Sequence, residues 1–370
     1  MKKNIVIIAF STYPSNDPRS MRTHELASEL VRQGNNVTLY VMTRGYNYKE
    51  YEKKTKIKVR SLGKSIFFKF DHNLGMQLNI PSKIIRRLFG KYLEYPSIEL
   101  IRNTYLVLKQ EENIDNLITI ALPYPIHWGA ALYRRLHSYK MQNTTWIADC
   151  GDPYMGNPYT KKPSYFEYLE RLFCEQADYI TIPVSEAKQA YYYEFHDKIK
   201  IIPQGFHFPK EKNKSTFFPN RSPIFIYAGN FYRDWRDPRP LLEYLSTLDT
   251  NFTLIIYTKT TDLIESYKEK LGEKLKILSY IPREDLINEM SKADFLLNIE
   301  NPSNVQSPSK LIDYAIAGKP ILSINTNQPL NKRLIKDFLE NDYSNSLKIP
   351  DIEQYNIENV AKEFTKLMND

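Results

Sequence analysis

The sequence predicts an α/β protein of two domains, each built around a parallel β-sheet. Within residues 4–42 a buried-type strand, a helix and a second strand follow one another, which is a β-α-β unit and implies parallel strands. The same alternation resumes after a polar, proline-containing break near residues 209–223. The length of 370 residues also exceeds one typical hydrophobic core.

The N-terminal domain is predicted to span residues 1–208. Its first helix follows a polar loop and ends at Gly34, because glycine commonly terminates helices. The apolar runs that predict its strands cover residues 5–10, 36–42, 117–121, 145–148 and 179–184.

Residues 209–222 are predicted to form the linker, and residues 223–352 the C-terminal domain. The strands of this second domain are predicted over residues 224–227, 252–257, 275–278, 295–299 and 321–324. Residues 353–370 are expected to form a C-terminal helix, with a return to the N-terminal domain as one option. The predicted architecture is two Rossmann-like halves that face one interdomain cleft. Ligands are expected at the carboxyl ends of the strands.

Composition is typical of an ordinary globular protein and excludes several functional classes. The formal charge of +8 and the pI near 9.0 fall short of a dedicated nucleic-acid binder, and an anionic ligand or membrane surface would explain them. The two cysteines, Cys150 and Cys174, have neither metal-ligand spacing nor a disulfide framework. The sequence contains no visible signal peptide and no stretch of ~20 apolar residues. We therefore expect a cytoplasmic protein that needs no metal or cofactor.

The stretch at residues 307–320 is the most informative part of the chain. Ser307 is a good N-cap and Pro308 suits the first helical position, so a helix should begin there and end near Gly318. The free backbone N–H groups and the positive end of the helix dipole favour an anion at that start.

Three side chains of this helix complete the pattern. Ser309 and Lys310 lie in the first turn, and Asp313 follows them by four and three positions, respectively, on the same face. A diphosphate fits the first turn, and the carboxylate of Asp313 suits the two hydroxyls of a ribose. The alternative is a capped core helix with a surface lysine and aspartate.

Two other loops follow strands of the same sheet and should approach this helix. The first, residues 229–238, combines Gly229, which allows close backbone approach, with Arg233 and Arg236, either of which suits a diphosphate. The alternative is that these arginines form solvated ion pairs with neighbouring aspartates. The second loop, residues 280–286, is a strand end that enters a helix and offers its backbone to a base edge.

These segments together resemble the donor domain of nucleotide-sugar glycosyltransferases with the GT-B architecture, and the family 4 type in particular. The resemblance spans nearly the whole chain, and the segment from Pro308 to Pro320 is its most specific part. It implies a fold of two Rossmann-like domains and a nucleoside diphosphate sugar as donor, commonly with uracil as the base.

The resemblance also implies roles for individual residues. Together with candidates such as His127 that residue chemistry alone suggests, the donor-binding set comprises Gly229, Asn230, Arg233, Ile281, Ser309, Leu311 and Asp313, and the candidate catalytic set comprises Asp152, His127, Arg236 and Lys310. In these sets Ser309, Lys310 and Leu311 meet the diphosphate, Asp313 holds the ribose, and the Ile281 backbone pairs with the base.

One position departs from the family pattern. Family 4 members usually carry two glutamates eight positions apart, and the first falls here at Val305, whose side chain cannot accept a hydrogen bond. The neighbouring polar residues Glu300, Asn301 and Asn304 are candidate substitutes. Sugar identity and activity therefore stay open.

The N-terminal half offers candidates for the acceptor side. Asp149 and Asp152 lie where a strand runs into a tight turn that resembles an Asp-x-x-Asp-Pro signature of some polysaccharide glycosyltransferases, and capping is their alternative role. His127 follows another strand, and is either a proton carrier or a packed neighbour of Trp128. Arg19 and Arg22 stand where the family often has a glycine-rich loop, and are expected to supply charge or to form a solvated first helical turn.

The predicted function is transfer of a sugar from a nucleoside diphosphate sugar, UDP-sugar first, to a glycan or lipid-linked hydroxyl in surface polysaccharide synthesis. Retention is implied by the family; inversion would need Asp152 or His127 as base. The alternative is a non-catalytic partner subunit that keeps the fold. A basic and aromatic stretch from Lys49 to Lys91 indicates contact with an anionic membrane at its inner face, or a solvated face of a basic protein. A nucleic-acid partner is not expected.

Overall fold

The computed structural model describes residues 2–370 except 16, 65, 69–79, 159, 209–219, 221, 234–235, 301–308, 327 and 350, and the side chains of 80–82 and 309. The chain divides into two compact units. Unit 1 comprises residues 1–207 together with 354–370, and unit 2 comprises residues 208–353.

Unit 1 contains a parallel sheet of seven strands in the order β3-β2-β1-β4-β5-β6-β7. Most of these strands are apolar and buried along their length, as expected for a sheet covered on both faces. The strands are β1 Asn4–Ile8, β2 Asn36–Val41, β3 Lys58–Ser61, β4 Asn116–Ile120, β5 Thr145–Asp149, β6 Tyr179–Ile182 and β7 Ile199–Ile201.

Helices cover both faces of this sheet. The helices of unit 1 are α1 Pro18–Arg32, α2 Lys49–Thr55, α3 Ile80–Leu93, α4 Glu99–Gln110, α5 Pro125–Leu136, α6 Ser138–Met141, α7 Phe166–Gln176 and, from the second segment, α13 Ile357–Leu367. Helix α3 is exposed and takes no part in this cover. Helix α1 begins at the carboxylate of Asp17, which accepts hydrogen bonds from the N–H groups of Arg19 at 3.1 Å and Ser20 at 3.0 Å.

The returning helix α13 is part of the core of unit 1. Its buried Val360 and Phe364 belong to the same apolar cluster as Leu26 and Ala27 of α1. A backbone hydrogen bond of 2.9 Å from the Ile357 N–H to the Phe206 carbonyl ties its start to the end of the first segment. The second apolar cluster of unit 1 lies around Trp128, Trp146 and Phe173.

Unit 2 contains a parallel sheet of five strands in the order β10-β9-β8-β11-β12. The strands are β8 Ile224–Ala228, β9 Thr253–Tyr257, β10 Leu275–Leu278, β11 Phe295–Ile299 and β12 Ile321–Ile324. The helices are α8 Arg239–Ser246, α9 Tyr267–Leu271, α10 Arg283–Ser291, α11 Ser309–Ala317 and α12 Lys332–Leu339. The predicted class, α/β with two Rossmann-like units on parallel sheets, is confirmed.

Tyr314 fixes helix α11 against the two central strands of unit 2. Its side chain is fully buried, and its hydroxyl donates to the Leu297 carbonyl of β11 and accepts from the Ala228 N–H of β8, both at 3.0 Å. The helix is followed by Gly318 at φ +69°, a left-handed conformation that favours glycine. The start of α11 is thereby held at the carboxyl ends of β8 and β11.

Among the described residues, no helix combines the length and the apolar character needed to cross a bilayer.

Candidate functional site

The first part of the candidate site is the turn after β8. Gly229 has φ +146°, which a side chain rarely tolerates, and its N–H donates to the Tyr257 carbonyl at 3.0 Å. The Asn230 side-chain oxygen accepts from the Lys259 N–H at 3.2 Å, while its carbonyl accepts from the Tyr227 hydroxyl at 3.2 Å. The turn is thus held against the loop that follows β9.

Arg236 is the arginine of this loop that lies beside Tyr227. The backbones of Tyr232 and Arg236 exchange two hydrogen bonds, of 3.3 and 2.9 Å, which return Arg236 towards the sheet. Burial raises the pKa of Tyr227 to about 12, against the opposing charge and hydrogen bond of the Arg236 guanidinium. Arg233 is exposed, and its charge acts on Asp237 instead. The two arginines that the sequence left as alternatives therefore differ in position.

Lys310 brings a second cation to the same tyrosine. Its ammonium lies 3.1 Å from the Ile299 carbonyl oxygen and 5.1 Å from the centre of the Tyr227 ring. Burial, and then repulsion by Arg236, lower the pKa of Lys310 to about 7. Lys310 forms no ion pair with any carboxylate of the described residues. Two positive groups therefore converge at the start of a helix, where an anion would relieve their repulsion.

Asp313 lies one turn further along α11 and pairs with Arg283. One carboxylate oxygen, Oδ1, is 2.8 Å from Nε and 2.6 Å from a terminal nitrogen of that arginine. Burial raises the pKa of Asp313, while Arg283 opposes the rise. The other oxygen, Oδ2, has no hydrogen-bond partner within the described part of the chain, so it is able to accept from a ligand hydroxyl.

Sequence reasoning assigned no role to Arg283. It begins α10 directly after Ile281 and Pro282, so the segment quoted for base recognition also contained the partner of Asp313. The sequence showed Arg283 only as a lone arginine, because its partner Asp313 lies 30 positions away along the chain.

Ile281 and Leu311 belong to the margin of one apolar cluster of unit 2. Both side chains are half-buried and pack against the cluster that contains Ala228 and Tyr314. No hydrogen bond between described residues uses the backbone N–H or carbonyl of Ile281. The neighbouring Tyr280 ring is exposed and lies 4.8 Å from the Lys259 ammonium. These groups provide a partly apolar region beside a peptide group that makes no hydrogen bond to another described residue.

Glu300 is held at the carboxyl end of β11 by a short relay. The Ser323 hydroxyl donates to its carboxylate at 2.9 Å and accepts from the Asn298 side-chain amide at 2.7 Å. Glu300 directly follows Ile299, whose carbonyl receives the Lys310 ammonium. Several residues that the sequence singled out lie outside the described residues: Asn301, Asn304, Val305, Ser307, Pro308 and the side chain of Ser309.

His127 lies in the core of unit 1, away from any surface. Its ring is completely buried, 2.7 Å from the Thr119 hydroxyl and 3.4 Å from the Cys150 sulfur, and it packs against Tyr124 and Phe173. Burial lowers the pKa of His127 to about 3, so it stays neutral. This position argues against the predicted role as a base and agrees with its alternative, a packed aromatic neighbour.

Asp149 is also buried, in an ion pair with Arg22. Both side chains are almost inaccessible, and the Thr181 hydroxyl donates to the same carboxylate at 2.6 Å. Burial alone would raise the pKa of Asp149, but Arg22 outweighs it and the pKa is lowered. Neither residue is placed to meet a ligand, so Arg22 does not supply the free charge that the sequence led us to expect.

Asp152 remains at the surface of unit 1, paired with Arg19 at 3.0 Å. The guanidinium of Arg19 lies over Gly151, where any Cβ would come within 1.7 Å of it. The two arginines of α1 are therefore paired with the last residue of β5, Asp149, and with Asp152, which follows that strand.

Comparison with known proteins identifies the fold. No protein-family model and no curated protein matches the chain. Among solved structures, Anabaena HepE in complex with UDP is 10% identical and aligns over 100% of both chains with a TM-score of 0.62. A glycosyltransferase from Rickettsia africae is 14% identical, covering 100% of this chain and 94% of the other, with a TM-score of 0.61.

A third neighbour has a different activity. The UDP-GlcNAc 2-epimerase from Neisseria meningitidis, bound to UDP-GlcNAc, is 14% identical over 99% of both chains with a TM-score of 0.58. The chain thus has the GT-B fold over its whole length, as the resemblance implied. At these identities the likeness extends to the fold alone.

Proposed function

We propose that this protein is a glycosyltransferase that moves a sugar from a nucleoside diphosphate sugar to a hydroxyl of a glycan or lipid-linked acceptor. The observation that carries the proposal is the convergence of Lys310 and Arg236 at the start of α11, with Asp313 one turn along. Cations at this spacing from a carboxylate match a diphosphate joined to a ribose. UDP is the first nucleotide to test, because HepE and the epimerase were both solved with uridine nucleotides.

Each part of the donor has a proposed partner. The diphosphate binds to Lys310, Arg236 and the first N–H groups of α11, with Ser309 and Leu311 in the same turn. Asp313 accepts from the ribose, positioned by Arg283, and the Ile281 peptide pairs with the base edge. Gly229 and Asn230 form the floor of the phosphate loop, whereas Arg233 is left at its rim.

The chemistry required of these residues is stabilisation of a leaving group. The bond between the anomeric carbon and the diphosphate oxygen breaks, a bond to the acceptor oxygen forms, and the acceptor proton leaves with the diphosphate. Negative charge grows on the departing oxygen, where Lys310 and Arg236 offset it. Retention of the anomeric configuration follows if attack and departure occur on one face, so no base is needed in unit 1.

Glu300 is the proposed replacement for the acid missing at Val305. Its carboxylate is oriented by Ser323 and lies one residue from the carbonyl that receives Lys310. We assign it to a hydroxyl of the transferred sugar. Surface polysaccharide synthesis in a reducing cytoplasm, at the inner membrane face, is the proposed setting, and the two buried free cysteines agree with it.

The decisive experiment incubates the protein with a panel of nucleotide sugars and follows release of the nucleoside diphosphate and the fate of the sugar. A transferase releases UDP slowly to water and faster with acceptor. Arg236→Gln should reduce release at least tenfold, whereas the matched exposed variant Arg233→Gln should stay within about twofold.

Two other outcomes would contradict the proposal. Binding without release under every acceptor condition would favour the alternative of a non-catalytic partner subunit. Inversion at C2 of the sugar would instead indicate an epimerase, which shares the fold.

A further inference from the structure

Helix α3 of unit 1 exposes a continuous apolar face to solvent. Its large apolar side chains Ile84, Ile85, Leu88, Phe89, Tyr92 and Leu93 are between 45 and 56% exposed. Side chains of this size normally lie in a core. A helix of 14 residues is also too short to be stable on its own in water, so a face this apolar indicates a partner.

The opposite face of the helix is uniformly basic. At 100° per residue the apolar positions occupy one half of the helix circumference, and Lys83, Arg86, Arg87 and Lys91 occupy the other half with Gly90. The sequence of α3 contains no acidic residue. A large apolar arc with a cationic polar arc is the pattern of a helix that lies in a membrane interface.

The helix is anchored to unit 1 at its carboxyl end. Glu94, which follows it, accepts from the Tyr154 hydroxyl at 2.9 Å and forms an ion pair with Lys162. The Tyr165 hydroxyl donates to the carbonyl of Tyr92. These contacts at the carboxyl end of α3 fix the orientation of its exposed face relative to the rest of unit 1.

The exposed face continues beyond the helix. Tyr95 packs against Phe89 with ring centres 6.2 Å apart and against Phe67 at 5.5 Å. Phe67 and the adjacent Ile66 are themselves 41 and 65% exposed. The apolar surface thus spans two segments of the chain.

We infer that α3 docks unit 1 onto an anionic membrane, with its apolar face between the acyl chains and its basic face among the headgroups. Charge decides between this partner and a second copy of the chain. A symmetric pairing of α3 with itself through the apolar faces would turn both basic faces away from the contact, where they gain nothing from it, whereas the headgroups of anionic lipid attract them. The inference deepens the membrane-face setting given under the proposed function, and its test does not depend on glycosyl transfer.

The test is flotation of the full-length protein with vesicles of phosphatidylcholine alone or with 30% phosphatidylglycerol. We expect binding to the anionic vesicles only, weakened by salt. The double variant Leu88→Gln/Phe89→Gln should reduce the bound fraction at least tenfold at low salt. The matched control is Leu136→Gln on α5, a leucine of comparable exposure, which should bind like the unmodified protein.

Three results would overturn the inference. One is absence of binding at low salt, and another is equal binding to neutral vesicles. The third is undiminished binding of the Leu88→Gln/Phe89→Gln variant, which would reduce the effect to general surface charge. Sedimentation of each protein tests the competing case, in which α3 pairs with a second copy of the chain. A dimer of the unmodified protein that is lost in the double variant, together with no vesicle binding, would assign the apolar face to a second copy. Unchanged melting temperatures show that the variants are folded.

Discussion

Binding of a diphosphate at Lys310 should take up protons from solution. Burial and the neighbouring Arg236 hold the pKa of Lys310 at about 7 in the unliganded protein. A diphosphate against the ammonium favours its charged form and moves the pKa back towards its ordinary value near 10.5. The bound state therefore holds a proton that the free state has partly lost.

The size of this uptake follows from the titration. A lysine of pKa about 7 is roughly half protonated at pH 7 and roughly one-tenth protonated at pH 8. Binding should therefore take up about 0.5 proton at pH 7 and about 0.9 at pH 8. If only the charged form binds, affinity should fall roughly 50-fold between pH 7 and pH 9.

Isothermal titration calorimetry of UDP binding, in buffers of different ionisation enthalpy, measures the number of protons taken up per UDP bound. The control is Lys310→Met, which keeps an unbranched apolar stem, lacks only the terminal amine, and removes the titration. Protonation of the terminal phosphate, with a pKa near 6, contributes little at pH 8 and equally in both proteins. Equal proton uptake by the two proteins at pH 8 would refute the placement of Lys310 at the diphosphate.

Stability gives an independent check that the variant is folded. The unfolded chain binds more protons at Lys310 than the folded chain does between pH 7 and pH 10.5. The destabilisation caused by this buried amine is therefore complete below pH 7 and is relieved as the pH rises through that interval. Lys310→Met should melt at a higher temperature than the unmodified protein at pH 7, while losing the further rise that UDP produces.

Three other substitutions probe separate parts of the two units. Asp313→Asn should bind UDP about tenfold more weakly, because hydrogen bonds to a charged acceptor are the stronger ones. The variant should also bind UDP no better than the 2′,3′-dideoxy analogue of UDP. If the unmodified protein binds UDP and this analogue equally well, the ribose assignment is contradicted. Glu300→Gln should leave the Kd for UDP within about twofold and lower the transfer rate at least tenfold, and loss of UDP binding would place Glu300 elsewhere. Arg22→Met should cost about 3–5 kcal/mol in urea unfolding, because it leaves Asp149 buried without its cation; Arg22→Met with Asp149→Asn should cost less than the sum of the two single changes.

Most strands were predictable, and the two edge strands of unit 1 were not. Runs such as residues 295–299 and 321–324 are apolar except at one position each, because both faces of the sheet are covered, and the structure places β11 and β12 on the same residues. Strands β3 and β7 lie at the two edges of the unit 1 sheet. There the charged residues Lys58, Arg60 and Lys200 interrupt the strands, so the apolar run that identifies a buried strand is missing.

The candidate site was predictable as far as local spacing reaches. Helical periodicity alone puts Lys310 and Asp313 on one face. The choice between Arg233 and Arg236 depends on a backbone turn that joins Tyr232 to Arg236, which residue types do not encode in a simple pattern. Pairings such as Arg283 with Asp313 join distant segments, so a single sequence contains no local signal for them.

His127 is another residue whose surroundings the local sequence does not reveal. A histidine that follows a strand and precedes a tryptophan is compatible with a catalytic and with a packed position. Only its complete enclosure by Thr119, Cys150 and Phe173 distinguishes them.

The return of α13 to unit 1 determines the order in which the protein is completed during synthesis. Unit 2 is finished once residue 353 has been made, whereas the portion begun first still lacks Val360 and Phe364. Until the residues of α13 arrive, Leu26 and its neighbours lack part of their apolar contacts, and the nascent chain exposes that part to chaperones and proteases. A premature stop or a bulky tag near the carboxyl terminus would therefore damage the half of the molecule that is farthest away in sequence.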